Sequence, residues 1–506
     1  MNLRAVCWLL GCVSLIVAVF LLVPAAVAYY FDEPNGVSAC ALSALISGAI
    51  GAMLILPNRG SRLTEEGRPD FYRREGLAVV GLVWVVAGML GALPYLFSGL
   101  IASPVDAVFE SVSGFTTTGS TILPAVDIDR FHQEMKGIGF WRSFTHWLGG
   151  FGIVMVFVVL FPTGGRSLFR SEIPGISREA GRHLVRDSAM TLMRIYVGLS
   201  VLECVLLVFA GMGVFDALIH TFGTIATGGF SNYSTSVAHF ASFKVELIIG
   251  IFMFVAGINF AFYDLGLRNG FRSGWRAIVS STEVKVYALL TFGSIFVIAT
   301  VLWFWGGSNG DAALGLPDYR SYGLAMRDSF FQVICLETST GYGTADFDQW
   351  PQVCRIWLMM LAVIGACAGS TGGGVKVIRY IIVAKAALKG VRQFIRPRAL
   401  HGVRVDGVAL EDSVVSSITG YFVLWIFVFL GGTVFLAVYG IDLETASTAV
   451  VATLNNIGPG LGKVGPTLNF AEMPNLVKIV LTVFMILGRL EFYAVVALFI
   501  PSFWRS

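Results

Sequence analysis

Four short loops of glycine with small or hydroxylated residues recur along the chain, and their residue types suit the binding of a cation. The loops lie at 116–121, 224–229, 338–343 and 454–459, and each follows a short apolar segment opened by an acidic residue. Four copies of one such unit indicate an internal repeat. The recurring glycines are Gly119, Gly228, Gly341 and Gly458, and the opening acids are Asp106, Asp216, Asp328 and Glu444.

Such a loop presents backbone carbonyl groups rather than bulky side chains. Glycine adopts a positive φ without a Cβ clash, so successive carbonyl oxygens can turn to one side. A ring of these oxygens can replace the water shell of a cation, and the preceding helices add the negative ends of their dipoles. The alternative is four ordinary glycine turns between helices, but their recurrence in register favours a ring.

The composition predicts a polytopic helical membrane protein. Hydrophobic residues make up 56% of the 506 residues and charged residues only 13%, and a spanning helix needs about 20 apolar residues. The seven cysteines are scattered and form no CxxC pair, which argues against a disulfide framework or a zinc site. The ten predicted spans lie near 5–30, 37–57, 77–98, 140–161, 191–213, 243–266, 283–305, 353–386, 413–440 and 475–500.

The distribution of charge predicts the topology of these spans. Lys and Arg residues concentrate in the loops after 57, 161, 266 and 386, whereas the opposite loops hold only a thin scatter. By the positive-inside rule the basic loops and both termini are cytoplasmic, and the four glycine loops enter from outside. The first run could also be a signal peptide ending at Ala26-Val27-Ala28, but its apolar part is long for one, so a retained helix is favoured.

Several motifs of the chain resemble those of the TrkH/TrkG family of bacterial potassium uptake proteins. They are SGFTTTGST, IATGGFSNYS, TSTGYGTADF and NNIGPGLG, with GACAGSTGGGVKVIR between the last two. The resemblance covers nearly the whole chain. It implies an all-α inner-membrane protein in which four pseudo-symmetric helix–pore-loop–helix units, like those of a K⁺ channel, follow two extra transmembrane helices. The predicted parts are 1–60 for the two helices and 61–165, 166–270, 271–405 and 406–506 for the units.

The resemblance also implies potassium uptake through a carbonyl-lined selectivity filter. It implies a homodimer with a pore in each subunit and a cytosolic nucleotide-binding gating subunit of the TrkA kind. The resemblance implies K⁺ as the ion at the filter and no organic cofactor. Three residues, Ala226, Asn456 and Ile457, depart from the threonine-like residues of a K⁺ channel. The implied filter residues are Thr117, Thr118 and Gly119, then Ala226, Thr227 and Gly228, then Ser339, Thr340 and Gly341, and finally Asn456, Ile457 and Gly458.

A glycine-rich stretch at 365–374 interrupts the outgoing helix of the third unit. Each glycine costs a helix about 1 kcal/mol relative to alanine, so the stretch is predicted to be non-helical. Similarity to TrkH implies an intramembrane gating loop here, beneath the filter; the alternative is a glycine-rich surface for helix packing. The implied gating residues are Gly369, Ser370, Thr371, Gly372, Gly373, Gly374 and the adjoining Lys376.

Arg489 lies inside the last predicted span, where an ionisable side chain is costly and indicates a functional site. It resembles the family's arginine that projects into the pore near the gating loop as a barrier to cations. The alternative is an internal ion pair with Glu491 or Glu203. Neutralising Arg489 separates the two interpretations, because only the first predicts a higher K⁺ flux.

Other ionisable residues lie at or near the predicted membrane depth. Glu110 and Glu337, on the pore helices, are expected to tie the filter loops in place rather than to attract cations. Glu203 is a candidate proton relay for coupled transport. His146 and His220 are interpreted as interior histidines with satisfied hydrogen bonds rather than as metal ligands.

A basic stretch continues the third unit's outgoing helix on the predicted cytoplasmic side. It is either positive-inside charge in contact with anionic lipid or a docking surface for a gating subunit. Its members are Lys385, Lys389, Arg392, Arg396, Arg398, His401 and Arg404.

The chain carries no catalytic triad, HExxH motif or dinucleotide fingerprint. The sequence therefore predicts neither an enzyme nor a nucleic-acid partner. The alternative function is a proton- or sodium-coupled symporter of K⁺, a class that often uses inverted repeats. Because all four units here enter the membrane with the same topology, a pore is favoured.

Overall fold

Residues 2–61, 73–160, 178–308, 319–396 and 402–490 are described by a computed structural model, as are 492, 496, 498 and 500–504. The described residues form helices and one two-stranded sheet. The helices are α1 Leu3–Tyr30, α2 Pro34–Ile55, α3 Arg73–Gly91, α4 Leu93–Phe97, α5 Pro104–Phe115, α6 Ala125–Gln133, α7 Lys136–Leu160, α8 Arg178–Phe209, α9 Val214–Ile225, α10 Phe243–Ala256, α11 Phe260–Asn269, α12 Phe271–Ser280, α13 Thr282–Ser308, α14 Tyr322–Glu337, α15 Gln352–Ile364, α16 Val377–Ile395, α17 Asp412–Val438, α18 Leu443–Leu454, α19 Asn475–Leu490 and α20 Pro501–Trp504, and the strands are β1 Arg404–Val405 and β2 Val408–Ala409.

Two helices precede four units of similar construction. Each unit has a long helix, a short helix that ends at one of the recurring loops, and an outgoing helix. These are α3, α5 and α7 in the first unit, and α8, α9 and α10 with α11 in the second. The third unit has α13, α14 and α15 with α16, and the fourth has α17, α18 and α19. This architecture confirms the predicted all-α polytopic fold.

The described residues contain six helices long and apolar enough to cross a membrane, or up to seven if a bent pair counts as one span. The outer faces of these helices expose large apolar side chains, such as Phe296 at 62% and Phe427 at 69%. Exposed apolar surface of this extent suits contact with lipid. The six spans are Leu3–Tyr30, Pro34–Asn58, Glu75–Phe97, Met190–Phe209, Thr282–Trp305 and Asp412–Val438.

The span predicted near 243–266 is broken into two helices in the structure. α10 and α11 are bent by 86° at a break between them. Gly257 ends α10, and Asn259 caps α11 by accepting a hydrogen bond from the N–H of Ala261 at 2.9 Å. A residue that caps a new helix takes its backbone out of the preceding one, so the apolar run cannot continue straight.

The two leading helices are attached to the first unit by backbone and carboxylate contacts. α1 and α2 approach closely because both carry glycine where they cross: a Cβ at Gly11 would lie 2.9 Å from the carbonyl oxygen of Gly51. At the start of α2, the carboxylate of Glu33 accepts hydrogen bonds from the N–H groups of Lys136 and Gly137, at 2.6 and 2.9 Å. These bonds fix α2 to the first turn of α7.

The small sheet follows α16 on the basic side of the protein. Arg404 pairs with Ala409 and Val405 with Val408 in antiparallel register. The two residues between the strands, Asp406 and Gly407, have φ values of +49° and +80°, and an Asp-Gly pair of this geometry makes a tight two-residue hairpin. We call residues 404–409 the basic-side hairpin.

Candidate functional site

Each recurring loop begins where a short helix ends. The short helices α5, α9, α14 and α18 all have buried residues through their last turns. Ser103 caps α5 through the N–H of Asp106 at 3.4 Å, and Asp442 caps α18 through the N–H of Thr445 at 2.9 Å. The carboxyl ends of the short helices, with their partial negative charge, are therefore directed at the loops.

The four loops share one backbone geometry. Thr117, Thr227, Ser339 and Asn456 all adopt positive φ, at 53°, 56°, 58° and 53°. Such values are uncommon for residues with a Cβ and cost on the order of 1–3 kcal/mol each, so their recurrence indicates a function. In every loop the next N–H donates to the carbonyl five residues earlier. These bonds join Thr118 to Ser113 at 2.9 Å, and Gly228 to Gly223, Thr340 to Cys335 and Ile457 to Ala452 at 2.8 Å.

This geometry corrects the register predicted for the second unit. The residues equivalent to Thr117, Thr118 and Gly119 are Thr227, Gly228 and Gly229, one position later than the sequence suggested. Gly229, not Gly228, has the positive φ, at 78°. The other predicted triplets keep their register. Ala226 instead lies at the carboxyl cap of α9, as Thr116, Thr338 and Asn455 do on their own helices.

The four loops close into a ring through contacts between glycines and carbonyl groups. A Cβ on Gly119 would overlap the carbonyl oxygen of Gly228, and one on Gly229 would overlap that of Thr340. A Cβ on Gly341 would likewise overlap the carbonyl oxygen of Ile457. The ring closes where a Cβ on Gly458 would lie 2.9 Å from the carbonyl oxygen of Thr118. Each unit therefore contacts the next in the order of the chain, and the fourth contacts the first.

The carbonyl oxygens at two successive levels of this ring have no hydrogen-bond donor among the described residues. Buried backbone carbonyls are normally paired, and those left unpaired at membrane depth face a water-filled or ion-filled path. A cation at the centre of the ring would satisfy them. They belong to Thr117 and Thr118, Thr227 and Gly228, Ser339 and Thr340, and Asn456 and Ile457.

One face of the ring opens into a cavity. Its lining includes the ring glycines Gly119, Gly229, Gly341 and Gly458, and residues that follow them in all four loops. We call it the mouth cavity. The mouth cavity therefore lies directly beside the glycines of the ring.

Charged side chains join each unit to its neighbour around the ring. They are held by ion pairs and one charge-assisted hydrogen bond, which are stronger than neutral hydrogen bonds. We call this set the inter-unit contacts. They join Arg142 Nη1 to the Ser231 carbonyl at 3.0 Å, Arg327 to Glu246 at 2.6 Å, Arg355 to Glu444, and Lys478 to Asp106 at 2.7 Å.

Arg142 and Glu110 form the most deeply buried pair of this region. Their side chains are 2% and 0% exposed, and Arg142 Nε lies 2.7 Å from Glu110 Oε1. The carboxylate also accepts hydrogen bonds from Thr121 Oγ1 and from the N–H of Ile122, at 2.9 and 3.0 Å. Glu110 therefore ties the first loop in place, which agrees with the interpretation made from the sequence.

We predict that Arg142→Met lowers the free energy of unfolding by about 3–5 kcal/mol, because it leaves the buried Glu110 carboxylate without its partner. Arg130→Met is the matched control: Arg130 and its partner Glu134 are 42% and 60% exposed, and such a pair contributes under about 1 kcal/mol. Chemical denaturation in detergent micelles compares the two. Equal stabilities of the two variants would contradict the structural role of Arg142.

The remaining predicted acids and histidines have distinct surroundings. Glu337 accepts a hydrogen bond from Thr291 Oγ1 at 2.7 Å and none from a filter loop in the described chain. His220 Nδ1 lies 2.8 Å from the Asp216 carbonyl and its Nε2 lies 3.1 Å from Ser231 Oγ. His146 Nδ1 lies 2.8 Å from the Gly114 carbonyl. The described residues contain no cluster of His, Cys, Asp or Glu suited to a metal ion.

The glycine-rich stretch is a loop and not a helix-packing surface. α15 ends at Ile364 and α16 begins at Val377, so the intramembrane loop comprises residues 365–376. Its Gly373 N–H donates to Ser339 Oγ at 2.5 Å, and its Gly374 N–H donates to the Asn455 carbonyl at 3.0 Å. The loop therefore lies against the face of the ring opposite the mouth cavity.

The same loop also contacts the break in the second unit. The N–H of Cys367 donates to the Gly257 carbonyl, and the N–H of Phe260 donates to the Gly369 carbonyl, both at 3.0 Å. Lys376 Nζ donates to the Gly372 carbonyl within the loop itself. The intramembrane loop thus crosses from the second unit to the fourth, on the face of the ring opposite the mouth cavity.

Arg489 reaches this loop from α19. Its Nη1 donates to the Thr371 carbonyl at 2.8 Å, and the residue is 5% exposed. Its Nε and Nη2 have no hydrogen-bond partner among the described residues. The alternative pairing with Glu203 is not formed in the described chain, and Glu491 lies outside the described residues. Arg489 thus places a buried positive charge beside the intramembrane loop.

Comparison with known proteins identifies the family of the chain. The sequence model of TrkH, described as a cation transport protein, matches residues 48–506. The chain belongs to the TrkH family. Within it, the chain is 34% identical over 512 residues to the Trk system potassium uptake protein TrkH of Halomonas elongata, and 35% identical over 515 residues to that of Escherichia coli (strain K12). Both alignments cover 100% of each chain.

The fold agrees with a solved structure of the TrkH family. The crystal structure of the potassium transporter TrkH from Vibrio parahaemolyticus superimposes with a TM-score of 0.87 at 32% identity, covering 100% of both chains. Membership of this family confirms a multi-pass membrane transport protein and not an enzyme. The family resemblance predicted from the motifs is therefore confirmed.

The TrkH-family site includes residues that the sequence did not single out. Arg142 and Arg327 each contact a neighbouring unit, and Glu283 bonds the intramembrane loop through the N–H of Ala368 at 2.7 Å. Their signal in the sequence is a charged residue inside or beside an apolar run, which indicates function or pairing at membrane depth.

Proposed function

We propose that this chain takes up potassium across a bacterial inner membrane through the carbonyl ring of its four loops. The observation that carries this proposal is the closed ring of four equivalent loops with unpaired, buried carbonyl oxygens at its centre. Backbone carbonyls at close quarters replace the water shell of K⁺. The names of the relatives, Trk system potassium uptake proteins, support the identity of the ion.

The proposed K⁺ filter has three residues from each unit. The bound ion must be dehydrated by the carbonyl groups yet held weakly enough to leave, so several equivalent levels in single file suit conduction. The filter residues are Thr117, Thr118 and Gly119, Thr227, Gly228 and Gly229, Ser339, Thr340 and Gly341, and Asn456, Ile457 and Gly458.

The proposed gate comprises the intramembrane loop and Arg489. The loop crosses the path directly inside the ring, and its residues from Gly369 to Lys376 would have to move before an ion could pass. Arg489 holds the loop through Thr371 and opposes cations by its charge. Support for a movable gate is that the segment is a glycine-rich loop between two helices and not part of either.

The proposed topology rests on the distribution of charge. Lys and Arg concentrate on the side of the intramembrane loop and the basic-side hairpin, which supports a cytoplasmic location for that side and for both termini. The mouth cavity then opens to the outside. The division into two leading helices, 1–60, and units at 61–165, 166–270, 271–405 and 406–506 stays a prediction.

The proposed assembly is a homodimer with a pore in each subunit, regulated by a cytosolic nucleotide-binding subunit of the TrkA kind. The end of α16 supplies a docking surface, with Arg392 and Arg396 exposed beside Phe394 at 90% and Ile395 at 68%. Arg398 and His401, also predicted there, lie outside the described residues. Exposed basic and apolar side chains suit a protein partner as well as anionic lipid.

We predict that Arg392→Glu with Arg396→Glu abolishes co-purification of the regulatory subunit, since reversal of both charges replaces attraction by repulsion. The matched control is Arg272→Glu with Arg276→Glu, which reverses two exposed charges on α12. Pull-down from detergent measures the bound fraction. Unchanged binding in the α16 variant would locate the docking surface elsewhere.

A coupled symporter of K⁺ is the second candidate, and one observation favours it. Glu203 on α8 is 0% exposed and forms no ion pair with another described residue. A buried carboxylate inside a span is a candidate proton carrier. The ring favours a pore, because its four units have the same topology and meet at one axis. Coupled transporters often have inverted repeats instead, which rock about a site at the midplane of the membrane.

The experiment that separates these candidates is ion flux into liposomes containing the purified protein alone. K⁺ and Na⁺ uptake are measured while the pH gradient is varied. Passive, K⁺-selective flux that does not depend on the pH gradient supports the pore. Flux that stops without a proton gradient, and that returns to passive behaviour in Glu203→Gln, supports the symporter.

A further inference from the structure

One carboxylate holds both ends of the intramembrane loop. Glu283, in the first turn of α13, accepts hydrogen bonds through Oε1 from the N–H of Ala368 at 2.7 Å and from the N–H of Ile378 at 3.3 Å. Ala368 lies in the loop, and Ile378 lies in the first turn of the helix that follows it. The Glu283 residue is 7% exposed. Because one buried oxygen accepts both backbone bonds, Glu283 constrains the loop near its beginning and just after its end.

The basic-side hairpin contacts the same end of α13. The N–H of Thr282, the residue before Glu283, donates to Asp406 Oδ1 at 2.9 Å. A carboxylate in this position caps the helix, and its negative charge interacts favourably with the positive end of the helix dipole. Since Asp406 lies in a tight Asp-Gly turn, its side chain is held by the geometry of the hairpin.

The hairpin is also attached to the helix that leaves the loop. Lys385 Nζ, on α16, donates to the carbonyl of Arg404 at 2.8 Å. Val403 and Val405 are 3% and 2% exposed, so the hairpin is packed against the protein and does not project freely. It therefore contacts both α13, which holds the loop, and α16, which continues it.

We propose that Glu283 is a positioning residue of the gate, and that Asp406 couples the basic-side hairpin to it. Movement of the hairpin shifts the amino end of α13, and Glu283 transmits this shift to the backbone of the intramembrane loop. A regulatory signal received on the basic side thereby reaches the gate through two side chains. This inference rests on the proposed gating role of the loop.

The expected result is a rise in K⁺ flux when the constraint is removed. Glu283→Ala deletes the acceptor of two backbone bonds, so flux per folded protein should rise about two- to tenfold, as the loss of one or two hydrogen bonds allows. Glu283→Gln keeps one carbonyl oxygen as an acceptor and should give a smaller rise. The ratio of K⁺ to Na⁺ flux should stay unchanged, because the ring is not altered.

Coupling through Asp406 has a separate signature. Asp406→Ala should raise the flux less than Glu283→Ala, and the double variant should match Glu283→Ala alone, since both act through one element. Glu411→Gln is the control: this exposed carboxylate follows the hairpin and bonds Ser413 Oγ at 3.2 Å within its own segment. It should leave the flux unchanged.

The test measures K⁺ and Na⁺ flux in proteoliposomes for these variants, each normalised to folded protein, with Arg489→Gln and a Gly372–Gly374 alanine variant in parallel. Higher flux in Glu283→Ala with a non-additive double variant supports the inference. Two outcomes overturn this inference and leave the proposed gate in place. In the first, the double variant multiplies the effects of Glu283→Ala and Asp406→Ala on the flux. In the second, the flux is unchanged in Glu283→Ala and Glu283→Gln but altered in Arg489→Gln. If the flux is unchanged in every variant, including Arg489→Gln and the Gly372–Gly374 alanine variant, the proposed gate is overturned as well.

Discussion

Gly229→Ala is expected to abolish K⁺ flux while the protein still folds and inserts. A Cβ at this position would overlap the carbonyl oxygen of Thr340, one of the unpaired oxygens of the ring. Neither partner can move freely, because both belong to the backbone of the ring. The added methyl group therefore either displaces this carbonyl from the axis or separates the second and third units.

The control for Gly229 is Gly440→Ala, since the two glycines have φ values of +78° and +76°. No heavy atom lies within 4 Å of a Cβ at Gly440. In both variants the alanine must adopt a positive φ, which lowers the stability of the fold by on the order of 1 kcal/mol. Only Gly229→Ala also alters the ring. Proteoliposome flux, with thermal stability measured on the same samples, separates these effects. Equal flux in both variants would contradict the ring as the conduction path.

Arg489→Gln is expected to raise K⁺ flux by about tenfold or more. By Coulomb's law, two unit positive charges about 6 Å apart, at an effective dielectric constant of about 20, repel each other by on the order of 3 kcal/mol. The substitution removes this charge and weakens the bond to the Thr371 carbonyl. Both changes favour an open path, and the measurement is the initial rate of K⁺ uptake per folded protein.

The control for Arg489 is Arg272→Gln, which removes an exposed positive charge from α12. It should leave the rate unchanged, because exposed charge is screened by water and salt. A loss of folded protein in Arg489→Gln, with no higher rate in the remaining fraction, would show that Arg489 has a structural role. That outcome would favour the structural interpretation of Arg489 over the barrier.

The repeated loops could be predicted from the sequence because each carries glycine at a near-regular spacing. The register of the second loop could not, since Gly228 and Gly229 are adjacent and either satisfies the pattern. Only the backbone geometry separates them: the positive φ of Thr227 and the bond from Gly228 to Gly223 fix the register. A one-position ambiguity of this kind is settled by the backbone geometry of the folded loop and not by residue types alone.

The intramembrane loop could also be predicted, because glycine opposes a helix at that density. Its partners could not: Glu283 bonds Ala368 across 85 positions of the sequence, and Asp406 bonds Thr282 across 124. The break between α10 and α11 was missed because the run from 247 to 263 holds no charged residue and is largely apolar. The signal present was Asn259, a helix-capping residue two positions after Gly257.

The inter-unit contacts illustrate a second limit of sequence interpretation. Lys478 and Asp106 are 372 positions apart, and either could have been an isolated charge near the membrane surface. Their pairing follows from closure of the ring, which brings the fourth unit against the first. A pairing that depends on the arrangement of whole units cannot be predicted from one segment.

The most direct test of the account is the location of bound ions. Crystals of the protein grown with Rb⁺ or Tl⁺, which replace K⁺, reveal those ions by anomalous scattering. The account predicts density on the axis of the ring, between the carbonyl oxygens of Thr118, Gly228, Thr340 and Ile457. Density beside Glu203 with none on the axis would contradict it.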